Sequence, residues 1–390
     1  MCDAAINDIR NESEFSGISW NSLSNEIASL RCPSEISVLE GAYERNNDDD
    51  GDNDNNYNNS DQNLSHGVES DNPESSASLM SSDEVIDESL LPEKLREKKW
   101  IIGNFLGRGS YFRVYQAYAD GILLAIRKRY FRNSKNVFYT KLRREIECEY
   151  QTCRRHITDV LLKIGYHDNI ATFFGFRRVG VIWEIFVEYA AGGDLLHEID
   201  KYRKCKRQIP EEIITSRFRD LTRAVAYLHE RNIAHLDIKI ENCLLTKWGS
   251  LKLSDFDYAI IFNSGTTVLP NQIGTKAYAP PQRFDSFTKP ECADVWSCGI
   301  VLHTLIAFHI PWSSAHKKDP AYEKWFQYIN KKKRDKSNCV FPLKILEGTN
   351  SKFSELLEHL LDPNEDTRIK IRDIVDICWL KNECIVIGEN

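Results

Sequence analysis

Four polar residues between Ile233 and Asp257 stand at spacings that phosphoryl transfer uses. Asp237 is placed to accept the proton of an attacking hydroxyl. Asn242, five residues later, and Asp255, which opens the triplet Asp255-Phe256-Asp257, are placed to hold magnesium. Lys239, two residues past Asp237, carries the charge that would neutralise the group in transit. Between Asn242 and Asp255 lie the apolar runs Cys243–Leu245 and Leu251–Leu253, which read as two strands joined by a turn.

A nucleotide must be held against these residues, and the chain upstream supplies the candidates. Apolar alternation over Lys98–Leu106 predicts a first strand. It leads into Gly107-Arg108-Gly109-Ser110-Tyr111-Phe112-Arg113-Val114, a glycine-rich loop in which Gly107 and Gly109 let backbone N–H groups approach phosphate and Val114 lies against the base. Phe112 takes the third glycine place, where it is expected to stiffen the loop tip and crowd the γ-phosphate. The next strand, Ile122–Arg129, provides Ala125 and then Arg127 where an amine usually grips the α- and β-phosphates. Lys128 is adjacent, but neighbouring strand residues face opposite ways, so using it would take a bulge.

Helical periodicity runs from Leu142 to Ile164. Glu145, eighteen residues after Arg127, is the favoured ion-pair partner for it; counting back from His167-Asp168-Asn169-Ile170 gives Thr158 instead. The two counts differ by an insertion of about 13 residues, or else the glutamate is lost and Glu145 is a solvated charge. Phe186–Asp194 is a strand loosened by Gly192 and Gly193, a hinge in which Glu188 and Ala190 offer backbone groups to adenine, with Val187 as gatekeeper. Leu245 belongs to the same nucleotide set. Asp194 reads either as a partner for ribose or a basic substrate side chain, or as a helix N-cap.

Composition divides the chain. Residues 1–98 hold 23 acidic against 6 basic side chains, net -17, and residues 99–390 hold 35 against 45, net +10. The first 97 residues, rich in Asn, Asp and Ser, cannot bury enough apolar surface to offset the entropy of ordering, so a disordered acidic tail is expected over 1–97. Eleven cysteines without a C-x-x-C pair indicate neither a disulfide framework nor a zinc site. The longest apolar stretch, Gly299–Phe308, is interrupted by His303 and is too short to span a bilayer. A reducing compartment, cytoplasm or nucleus, is the simplest setting.

Longer segments then show a resemblance. Phe173–Gly180, Val187–Leu195, Asp294–Leu302, Ile310–Trp312 and Tyr322–Trp325 are similar to the checkpoint kinase 1 family, within the calcium/calmodulin-dependent-like serine/threonine protein kinases. The likeness covers roughly residues 98–382. It implies an α+β, bilobal kinase fold, with a small mostly β lobe at 98–188, a larger helical lobe at 192–382, and a short extension at 383–390. It also implies ATP and Mg2+ as cofactors, Thr275 beside Asp237 in a substrate-docking loop with Gly274, Asp294 bracing the catalytic-loop backbone, and a role in cell-cycle checkpoint signalling. Protein substrates with Ser or Thr acceptors follow from it, to a monomer without nucleic-acid or membrane partners.

Departures from the pattern qualify these expectations. Leu236 replaces an Arg that pairs with an activation-loop phosphate, Asp257 replaces a flexible glycine, and Gln282 replaces a Glu, leaving a neutral hydrogen bond to Arg368. Little chain follows Trp379, so the family's C-terminal regulatory region is not expected, and no Ser-Gln or Thr-Gln dipeptide is present. Two functions stay open. Asp237, Lys239, Asn242 and Asp255 favour an active serine/threonine kinase; Arg127, Phe112 and Asp257 favour a nucleotide-binding pseudokinase scaffold. Lys331–Arg334 reads as a solvated basic run or as a nuclear import signal.

Overall fold

The computed structural model describes residues 90–108, 112–130, 156–179, 182–268, 274–285, 287–335, 339–345 and 350–380. The chain up to residue 89, Gly109, Glu145 and the extension 383–390 lie outside the described residues.

A short helix, α1 (Glu93–Arg96), precedes five antiparallel strands: β1 (Ile101–Arg108), β2 (Phe112–Ala119), β3 (Ile122–Tyr130), β4 (Phe173–Val179) and β5 (Ile182–Glu188), ordered β1-β2-β3-β5-β4. Before β4 a π-helical turn, Ile157–Leu161, runs into α2 (Leu162–Ile164). Helices dominate after β5: α3 (Leu195–Lys204), α4 (Glu211–Glu230), α5 (Gln282–Asp285), α6 (Pro290–Ala307), α7 (Pro320–Asp335), α8 (Ser351–Leu360) and α9 (Ile371–Val375). Between α4 and α5 lie two small ribbons, β6 (Ile233–Ala234) with β9 (Ile260–Ile261), and β7 (Cys243–Leu245) with β8 (Leu251–Leu253). The α+β, two-lobed kinase fold is met.

Strand register decides which side chains meet the cleft. Arg127 pairs with Val114 and Ile185, and Ala125 with Gln116 and Val187. Directly opposed residues share a face, so Val114, Ala125, Arg127, Ile185 and Val187 line one side of the sheet. Neither ladder of β3 carries a register shift. Lys128 therefore points to the other side, where its Nζ lies 2.8 Å from Glu184, a carboxylate also bound by Arg177 Nε at 2.6 Å. No bulge returns it to the cleft.

The folded body begins earlier than the composition predicted. Leu91, just before α1, and Leu95, within it, are buried against Leu124, Ile126, Phe174 and Phe186 on the side of the sheet away from Arg127. Leu90 N–H donates to the Phe176 carbonyl at 2.9 Å, and Trp100 Nε1 donates to the Leu95 carbonyl at 3.1 Å. Gly175, at φ 135°, makes the crossing feasible, since a Cβ there would run into the Leu90 carbonyl. Residues 90–97 thus belong to the folded domain rather than to the expected tail. Two leucines among acidic neighbours vanish in an averaged composition, although their spacing marks a buried face.

In the large lobe, α6 is buried on every side from Ala293 to Ala307. A helix apolar all round is an interior helix, which accounts for the long apolar run. His303 sits in it, fully buried, with Nδ1 3.1 Å from the His309 carbonyl. Burial first, and then the neighbouring His309, push its pKa from 6.5 down to about 4. The unfolded chain binds this proton at higher pH than the folded one, so the stability it contributes is complete above about pH 6.5 and is lost as pH falls towards 4. Between pH 7 and 4.5 the loss is about 2–3 kcal/mol. In urea melts the stability lost between pH 7 and 4.5 should be larger for the protein than for His303→Gln by that amount; equal losses would remove His303 as the cause.

Candidate active site

The central helix fixes the catalytic loop. Asp294, buried in α6, accepts hydrogen bonds from the backbone N–H groups of His235 and Leu236, both at 2.8 Å, and lies 2.9 Å from His229 Nε2. This is the bracing expected of it. Leu236 takes a left-handed φ of 63° just before Asp237 and is held there by packing with Val268 and Ala279. Apolar contact thus joins the loop to the segment after β9 at the place where a phosphate-binding Arg was missing.

Asp237 is surrounded by donors. Its Oδ1 accepts from the Thr275 amide and hydroxyl, both at 2.8 Å, and its Oδ2 accepts from Lys239 Nζ at 2.6 Å and Asn242 Nδ2 at 3.2 Å. Lys239 also reaches the Thr275 hydroxyl at 3.2 Å. Burial works to lower the Lys239 pKa, but the hydrogen bond and charge of Asp237 outweigh it and raise the pKa. Gly274 allows the close approach, since a Cβ would overlap the Asp237 carboxylate. Three residues from two distant segments therefore converge on one carboxylate.

Asn242 also donates from Nδ2 to the Asp237 carbonyl at 2.9 Å, which turns its amide oxygen away from Asp237. Asp255, at φ 63°, follows Ser254, whose hydroxyl donates to the Asn242 carbonyl at 3.0 Å. Phe256 anchors the triplet, its ring 4.8 Å from that of His235 and its carbonyl 2.8 Å from His156 Nε2. His156 was not foreseen; it is the link from the helix before β4 to the metal loop.

Arg127 crosses the cleft. One nitrogen, Nη2, lies 3.0 Å from Asp255 Oδ1 and 2.9 Å from Asp257 Oδ2. Burial acts to lower the guanidinium pKa, and the charges of Asp257 and Asp255 overcome it, so the pKa is raised. Asp255 is also pushed upward, by burial first; Arg127 opposes this, and the Asp257 carboxylate adds to it. Phe112 lies beneath the guanidinium, with its centroid 4.5 Å from the Arg127 Cζ. This corrects the expectation for Phe112. It starts β2 as a buried residue packed with Phe176, Trp183 and Ile185, rather than occupying the loop tip. Asp257 is not among the residues with positive φ, so this backbone does not need the missing glycine.

The remaining nucleotide candidates divide. Gly107 pairs with Val114 and has open space where a Cβ would stand. Glu188 ends β5 with its side chain committed to structure, accepting from Thr172 and from Lys252, an unforeseen partner whose Nζ is 2.8 Å away; Ala190 follows it. Asp194 is the N-cap of α3, accepting from His197 N–H at 2.7 Å. Leu245 is corrected: it is buried in the large-lobe core, and Leu244, half-buried, occupies the opposite face of β7. Gln282 meets Arg368 as expected, at 3.3 Å, and the buried Arg368 has its pKa lowered to about 10, chiefly by burial.

These groups fit a magnesium-bound nucleotide. The Asn242 amide oxygen and the second Asp255 oxygen have no hydrogen-bond donor among the described residues. No group of three or more His, Cys, Asp and Glu that could hold a metal occurs among the described residues. A cation here would need oxygens brought by its ligand.

Residues 100–380 match the protein kinase domain, and the chain belongs to that family. It is 29% identical over 303 residues to CBL-interacting protein kinase 30 of Oryza sativa subsp. japonica, covering 75% of this chain and 56% of that one. It is 28% identical over 295 residues to testis-specific serine/threonine-protein kinase 2 of Mus musculus, 74% of this chain and 75% of that one. Serine/threonine-protein kinase grp of Drosophila melanogaster is 31% identical over 213 residues, 54% of this chain and 39% of that one. Two of these three relatives are named as serine/threonine kinases. The chain spans 56% to 61% of the length of the plant kinases that it resembles in this way.

Proposed function

We propose that the protein is an active kinase that transfers the γ-phosphoryl group of ATP to Ser or Thr hydroxyls of protein substrates. The observation that carries this reading is the Asp237 carboxylate, gripped by Thr275, Lys239 and Asn242 beside the metal candidate Asp255. In this role Asp237 orients the acceptor hydroxyl and takes its proton, Lys239 offsets charge on the moving group, and Thr275 holds both. Magnesium, when bound with ATP through Asn242 and Asp255, supplies charge neutralisation at the phosphates. Leu244, rather than Leu245, has the orientation to underlie the base, with Val114 and Ala125 above it and the Glu188 and Ala190 backbone at its edge.

A checkpoint-type role in cell-cycle or DNA-damage signalling, in nucleus or cytoplasm, is the finer proposal. It rests on the segment resemblance, including Tyr322 and Trp325. Those two residues are buried, and Trp325 Nε1 donates to the Leu361 carbonyl at 2.7 Å, so they speak first for packing. Nuclear import through Lys331–Arg334 is not included, because Lys332 is bound to Glu358 and Lys333 to Asp362 at 2.7 Å.

Two measurements test the main reading. Purified protein should phosphorylate basic Ser/Thr peptides, and ATP should raise the melting temperature only when magnesium is present. Equal shifts with and without the metal would remove Asn242 and Asp255 as its ligands. Nucleotide binding without any transfer would favour the scaffold reading, for which the hold of Arg127 on Asp255 is the specific observation.

A further inference from the structure

Three departures from the kinase pattern, at Phe112, Arg127 and Asp257, look independent along the chain. In space they are one contact. The Arg127 guanidinium rests over the Phe112 ring at 4.5 Å, and its Nη2 is shared between Asp255 and Asp257. Phe112 is fixed from below by Trp183, Ile185 and Phe176, whose ring is stacked on Trp183 at 4.9 Å. A guanidinium over an aromatic face, with carboxylates at its edge, is held in both direction and depth. A lysine ammonium could bridge the two carboxylates but has no planar face to lay on the ring.

We propose that Asp257 is a positioning residue, the standing counter-ion of Arg127, which keeps the guanidinium in place over Phe112 when Asp255 turns to metal. The proposal rests on the reading of the cleft as a magnesium-nucleotide site. With only one carboxylate available, Arg127 and magnesium would compete for Asp255. The second carboxylate removes that conflict. It stands at 2.9 Å from the same nitrogen, so Arg127 keeps an ion pair without having to move. In this arrangement the clamp on the nucleotide phosphates is oriented from the metal loop.

The test has one arm with nucleotide and one without. In the first, thermal shifts with ATP are followed against magnesium concentration. Asp257→Asn should raise the magnesium midpoint about tenfold, because Arg127 then falls back on Asp255 alone; this corresponds to about 1.4 kcal/mol. In an Arg127→Gln background the same substitution should move the midpoint less than threefold. Equal shifts in both backgrounds would show Asp257 acting as a general negative charge, and would overturn the proposal. The second arm is a double-mutant cycle in urea without nucleotide, where the folding constants of the Arg127 and Asp257 variants should couple by at least about fivefold. Coupling under twofold overturns the pairing. Asp257→Gly replaces Asp257→Asn in both arms if the latter does not fold. A wild-type protein with no magnesium-dependent shift would sink the kinase reading, while the urea cycle would still decide whether Asp257 holds Arg127.

Discussion

Asp237→Asn is expected to lower phosphoryl transfer by about 10³- to 10⁴-fold while leaving a folded protein. The carboxylate accepts from the amide and hydroxyl of Thr275 on one oxygen and from Lys239 and Asn242 on the other. An asparagine fills the same space but has one acceptor oxygen and an NH2 group. Whichever way it turns, that NH2 meets existing donors, and no basic oxygen remains for the substrate hydroxyl. Some stability is lost too, about 1–3 kcal/mol, because a charged donor is left poorly paired. Initial rates with magnesium-ATP and a basic peptide, together with a melting curve, provide the check. Residual activity within tenfold of the wild type would remove Asp237 from the chemistry.

A chain starting at residue 98 should be at least about 3 kcal/mol less stable than one starting at residue 90. The eight residues between them contain Leu91 and Leu95, both fully buried, and the acceptor carbonyl for Trp100 Nε1. Their removal exposes Leu124, Phe174 and Phe186 on the back of the sheet. For a domain of this size the loss corresponds to a fall in melting temperature of about 6–12 °C. Leu91→Ala and Leu95→Ala in the longer chain give an independent reading, each costing about 2–5 kcal/mol. Coincident melting of the two chains would show that this segment only rests on the sheet.

What the sequence made legible was local or periodic. Asp237, Lys239, Asn242 and Asp255 belong to one short stretch in which the chemistry demands particular residue types at particular offsets, so a candidate site could be named without its fold. The two-residue period of strands likewise placed Lys128 on the wrong side for the cleft, as its pairing with Glu184 shows. Leu245, counted into the nucleotide set, is buried in the large-lobe core, and a difference of one strand position is enough to turn a side chain to the other face. The contact between Arg127 and Asp257 spans 130 positions. Each departure looked like a defect because the compensation depends on the sheet closing over the metal loop, which no local window reports.

Arg127 also changes how this cleft responds to covalent reagents. An acyl group carried into the cleft by a nucleotide needs an unprotonated amine to react with. Here it meets a guanidinium whose positive charge is reinforced by Asp257 and Asp255, and which does not acylate. Lys128 is turned away on Glu184, and Lys239 is kept protonated by Asp237, so neither is a ready nucleophile at that place. A nucleotide-borne reagent for amines therefore finds no lysine of β3 on the cleft side. An arginine-directed dicarbonyl, with labelling suppressed by bound nucleotide, is the reagent that would register Arg127.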